Sequence, residues 1–179
     1  MSTHDIIDIE EMPVSPKRGR PGDGATYLLL ADESEEFKAA LRYAVRRAQV
    51  VRGHLCLLHV INVEEFVHWG KVEDQMKAEH RAQAEQFLWG IAGKVHDLCG
   101  LYPSLYIREG VPSDVLADII EKDPMISALV LGAKDASGGP GPLVSYFTGK
   151  GIGKLTVPLV VVPDHLEPHK IDEVACYSD

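Results

Sequence analysis

Apolar residues in this chain gather into five short runs, separated by longer stretches in which they recur every three or four positions. Thr26 to Ala31 (Thr-Tyr-Leu-Leu-Leu-Ala) is continuous and apolar, as expected of a central parallel strand covered on both faces. After Asp32-Glu33-Ser34, residues Phe37, Leu41, Ala44, Ala48 and Val51 follow a helical period. Ser34 is placed to cap this helix, Glu35 and Glu36 suit its first turn, and Gly53 is expected to close it. His54 to Ile61 predicts a second strand. Met76, Phe87, Leu88, Ile91, Val95 and Leu98 form the stripe of a long helix from Val72 to Leu98, weakened at Gly90 and Gly93. Tyr102 to Ile107 reads as a third strand. Pro112 and Ser113 then open a helix carrying Val115, Leu116, Ile119 and Ile120, which Pro124 ends. Ile126 to Leu131, Leu143 to Leu155 and Leu159 to Val162 predict a fourth strand, a last helix and a fifth strand. Strands alternating with helices in this way predict an α/β fold, an open five-stranded parallel sheet with helices on both faces. Such a sheet collects ligands beyond the carboxyl ends of its strands, where the strand order reverses.

The pattern divides the chain into a flexible N-terminal arm (1–25), one α/β domain (26–163) and a loose or surface-laid C-terminal tail (164–179). The arm carries the basic cluster Lys17-Arg18-Gly19-Arg20, either a docking patch for an acidic partner or a solvated tail. A length of 179 residues and 45% apolar content suit one globular domain. The formal charge of −9 opposes nucleic acid or an anionic membrane as a main partner. Three cysteines, Cys56, Cys99 and Cys176, form no CxxC pair, which fits a reducing compartment. With no apolar stretch approaching 18 residues and no basic-then-apolar leader, a cytoplasmic location is expected and no membrane association. His165, His169 and Cys176 share the tail, but no further ligand cluster follows them.

Candidate chemistry concentrates after the fourth strand. There Leu131-Gly132 leads through Ala133-Lys134-Asp135-Ala136-Ser137-Gly138 to Gly139-Pro140-Gly141-Pro142, and Gly149-Lys150-Gly151-Ile152-Gly153-Lys154 follows. Glycine lets a backbone approach a ligand closely, and amides at a helix start hold an anion without a charged side chain.

Taken in order, several features resemble the universal stress protein family over about Thr26 to Pro163. They are a first strand ending in Ala31-Asp32 before Ser34-Glu35-Glu36, His59-Val60 closing the second strand, and Gly110-Val111-Pro112 opening the third helix. Leu129-Val130-Leu131-Gly132 with Ala136-Ser137-Gly138 and Gly149, and the terminal Val157-Pro158-Leu159-Val160-Val161-Val162-Pro163, complete the set. The resemblance implies an adenine-nucleotide α-hydrolase-like fold of three layers. It further implies a non-catalytic stress-response or regulatory homodimer, paired through its last strand. ATP or a related adenine nucleotide is the implied ligand, with Mg²⁺ only alongside it. Asp32 then matches the acidic residue near the adenosine end, although it can also serve as a helix cap, and Val60 matches the backbone position beside adenine. Gly132, Asp135, Gly138, Gly149 and Lys150 fall in the phosphate loop.

That loop departs from the family's ATP-binding spacing. Gly132 fits the first glycine, but Asp135 stands at the second, and Lys150 follows Gly149 where a hydroxyl residue is usual. The segment is four residues too long through Gly139-Pro140-Gly141-Pro142; reading Gly139 as the second glycine restores the spacing to Gly149. Aspartate tolerates a left-handed backbone at a cost of roughly 1 kcal/mol. Its carboxylate at about 4 Å from a phosphate would add repulsion of roughly 1 to 4 kcal/mol. Lys150 and Lys154 can return part of this, or Asp135 can hold a bridging magnesium ion. Weakened or altered nucleotide binding is the expectation. The alternative of another class is a nucleotide hydrolase or nucleotidyl-transferring enzyme of the same fold, yet no Walker sequence is present and no histidine stands beside the loop. A phosphoaccepting receiver is disfavoured, because Arg108-Glu109 and Pro163 stand where an aspartate and a lysine are needed.

Overall fold

In a computed structural model the chain is described over residues 24–62, 73–134 and 138–176. The elements run β1 (Thr26–Leu30), α1 (Glu35–Val51), β2 (His54–Ile61), α2 (Glu73–Cys99), β3 (Ser104–Glu109), α3 (Pro112–Lys122), β4 (Ile126–Ala133), α4 (Pro142–Thr148), a 3₁₀ turn (Ile152–Lys154), β5 (Leu159–Pro163) and α5 (Pro168–Ala175). The strands form one parallel sheet in the order β3-β2-β1-β4-β5.

Alternation along each strand sends side chains into two separate cores. Leu29, Leu57 and Val130 join Phe37, Leu41, Leu88 and Val95 of α1 and α2 on one face. Leu28, Leu58, Leu129 and Leu131 join Leu116, Ile120, Val144 and Phe147 of α3 and α4 on the other. The continuous apolar runs are therefore explained by helices on both faces, as the pattern predicted.

Two local readings change and a third is narrowed. Gly53 does not provide the left-handed turn that ends α1; Arg52 does, at φ 54°. Gly53 is glycine because a Cβ there would collide with the Ala25 carbonyl. The last helix does not run from Leu143 to Leu155. It stops at Thr148, where Gly149 takes a non-helical φ of −111° and ψ of −120°, and only the 3₁₀ turn follows. Gly151 is then explained by the Tyr146 ring, which occupies the space a Cβ needs. Of the two readings of the tail from Asp164, its described part takes the surface-laid one, because α5 docks on α1. Ile171 and Ala175 are buried, and Asp172 accepts a two-pronged pair from Arg42, at 2.9 Å from Nε and 2.7 Å from Nη2. Arg46 approaches the same carboxylate at 3.5 Å. The arm, up to residue 23, lies outside the described residues.

Candidate functional site

Strand order reverses between β1 and β4, so their carboxyl ends open a crevice that neither neighbouring crossover fills. Asp32, two residues past β1, and Gly132, near the end of β4, line the same cleft of about 120 Å³ with Ser34, Glu36 and Gly141. Asp32 also borders a second cleft of about 450 Å³, formed by Val60, His59 and Asn62 at the end of β2 and by Gln83 and Phe87 of α2. Two distant stretches of chain thus meet around one carboxylate.

Local hydrogen bonding fixes that carboxylate. Asp32 Oδ1 accepts from the Ser34 amide at 2.8 Å and from the Ser34 hydroxyl. Ser34 Oγ in turn accepts from the Phe37 amide at 3.1 Å. Ser34 is the cap of α1, and Asp32 instead braces the capping residue, remaining exposed at the junction of the clefts. His59 Nδ1 lies 3.0 Å from the Ala31 carbonyl and its ring meets Phe87 edge-on at 5.6 Å. Because a carbonyl only accepts, Nδ1–H is the donor in this contact.

On the other side, a Cβ on Gly132 would overlap the Glu36 carbonyl, so α1 packs directly on β4 there. Glu36, whose side chain is 17% accessible, pairs with Lys134 at 3.4 Å. Gly139 and Gly141 adopt φ of 73° and 89°, turning the chain into α4, which begins at Pro142. Pro142 has no amide proton to offer at that end.

The structure brings Asp32, Val60 and Gly132 together, and separates other residues of the glycine-rich stretch. Gly138 is exposed beside Lys134 and is not in the lining of either cleft. Gly149 ends α4, about 10 Å of helix beyond Gly141. Lys150 and Lys154 both rest over the Tyr146 ring with Nζ 5.6 Å from its centroid, and Lys154 donates to Asp114 at 3.2 Å. Hydrogen bonds to Tyr146 and Asp114 push the Lys154 amine up. Asp135 lies outside the described residues, as do Ala136 and Ser137. Glu36, Gln83 and Phe87 escaped sequence reasoning as cleft residues, as did Lys134 as the partner of Glu36. Glu36 follows Asp32 by four residues, across the start of α1, and Gln83 and Phe87 share an i, i+4 face, but nothing local marks those faces as turned toward a crevice. Among the described residues no group of three or more His, Cys, Asp or Glu side chains is placed to hold a metal ion, and no helix is long and apolar enough to cross a membrane.

Comparison with known proteins agrees with this fold. Residues 26–163 match the model of the universal stress protein family. The universal stress protein UspA from Lactobacillus plantarum shares 18% identity and a TM-score of 0.63, over 79% of this chain and 99% of that one. The hypothetical protein MJ0577 shares 22% identity and a TM-score of 0.64, over 81% and 99%. A universal stress protein solved in complex with cAMP shares 12% identity and a TM-score of 0.50, over 80% and 99%. At these identities the likeness is one of fold. No curated protein matches the chain.

Proposed function

Since the chain belongs to the universal stress protein family, which its residues 26–163 match, we propose that it is a cytoplasmic stress-response or regulatory protein, a non-catalytic homodimer that binds an adenine nucleotide in the crevice around Asp32. The carrying observation is that Asp32 and Gly132 line one cleft at the reversal of strand order, with Val60 in the adjoining cleft. A family relative solved with cAMP supports an adenine ligand. Asp32 accepts a ribose hydroxyl and the backbone at Val60 borders the base. Magnesium enters only with a nucleotide's phosphates. A binding role rather than catalysis is favoured by Ser34, whose hydroxyl is committed to Asp32 and to the Phe37 amide. Pairing through β5 is favoured by its position at the sheet edge, with β4 on one side and Val161 exposed at 37%.

Equilibrium dialysis with AMP tests the reading. Wild-type protein is expected to bind, and Asp32→Ala to weaken binding about ten-fold or more, the worth of a hydrogen bond to a charged acceptor. Binding unaffected by Asp32→Ala contradicts the site.

A further inference from the structure

We infer that this crevice selects the nucleoside end of its ligand and rejects phosphate, so that affinity falls in the order adenosine, AMP, ADP, ATP. The inference rests on the adenine-nucleotide reading of the same crevice and adds the ligand class.

Charge is the first ground. The cleft beside Gly132 presents the carboxylates of Asp32 and Glu36, and the nearby cation, Lys134, is already paired with Glu36 at 3.4 Å. Lys150 and Lys154, the cations expected to meet phosphates, sit over Tyr146, and Lys154 is held by Asp114. Each phosphate added to a ligand therefore meets net negative charge among the described side chains.

Room and hydrogen-bond polarity are the second ground. The α1 backbone meets Gly132 with the Glu36 carbonyl, which is an acceptor and offers a phosphate no donor. At about 120 Å³ this half falls below the usual size of a ligand pocket, whereas the half bordered by His59, Asn62, Gln83 and Phe87 offers about 450 Å³. An imidazole, two amides and an aromatic edge suit a neutral heteroaromatic base.

Calorimetric titration of the full chain with adenosine, AMP, ADP and ATP, in magnesium-free buffer at moderate salt, tests this. Kd is expected to rise at each phosphate and by about ten-fold or more from adenosine to ATP. Glu36→Gln, which removes one charge and releases Lys134, is expected to narrow the ATP-to-adenosine ratio about five-fold or more, and Lys134→Gln to widen it. Should Glu36→Gln not fold, wild type at 0.5 M NaCl is expected to show the same narrowing by screening. ATP binding as tightly as adenosine overturns the inference while the adenine reading stands. A ratio insensitive to the charge variants and to salt overturns its electrostatic basis. Silence with all four ligands overturns the inference and the reading together.

Discussion

Gly132 is held to glycine by the chain itself, because the first turn of α1 lies where a side chain would be. Gly132→Ala must push α1 away from β4 and is expected to lose about 1–3 kcal/mol by overpacking, read as a lower urea midpoint at unchanged slope. An unchanged midpoint would show that α1 does not rest on β4 at this point. The same physics explains why glycines misled the sequence reading. Gly151 makes way for the Tyr146 ring and Gly53 for the Ala25 carbonyl, while Gly139 and Gly141 turn the backbone. A glycine kept for a neighbouring backbone and one kept for a ligand leave the same letter. Asp32 was readable because a charged residue directly after a buried strand has few places to go but the carboxyl edge. Glu36 was not, since its role depends on how closely α1 meets β4.

At the level of elements, the strands and the first three helices follow from periodicity alone, because each buries several large side chains at regular spacing. The last helices do not. Apolar positions from Leu143 to Leu155 continue a helical pattern across Gly149 and Gly151, but Gly149 leaves helical dihedrals and α4 ends at Thr148. For α5, eight residues with Ile171 and Ala175 buried give little local signal, and an isolated helix of that length is unstable. Its order comes from Arg42 and Arg46, remote in sequence. Asp172→Ala leaves Arg42 buried without its carboxylate and is expected to lose about 2–4 kcal/mol. The double variant Arg42→Met/Asp172→Leu is expected to lose less than Asp172→Ala, since no charge is stranded. Thermal unfolding of both checks this, and a silent Asp172→Ala would show that α5 contributes no stability through that pair.

For the molecule as a whole, two edge strands, β3 and β5, bound the sheet. Pairing of two copies through β5 predicts a dimer mass in sedimentation, shifted to monomer by Val161→Glu; an unchanged dimer mass in the variant would place the interface elsewhere. Stability should also fall in acid. His54 opens β2 half-buried, with Nε2 2.8 Å from Ser104 Oγ, and burial pushes its pKa below the ordinary value of about 6.5. The unfolded chain then takes the proton more readily than the fold. This contribution is complete above about pH 6.5 and is lost as pH falls from there through the lowered folded value. His54→Gln is expected to flatten that part of the urea-midpoint profile; an unaltered slope would contradict the assignment.

On the proposed reading, the ends of β1, β2 and β4 make a single binding crevice around Asp32. Mapping of backbone amide chemical shifts during titration with adenosine tests it most directly. Changes are expected to gather at Asp32 to Phe37, His59 to Asn62, and Gly132 with Gly141. Changes confined to the β3 edge, where Trp89 of α2 lines a separate cleft with Leu105 and Ile107, or none at saturating ligand, would contradict it.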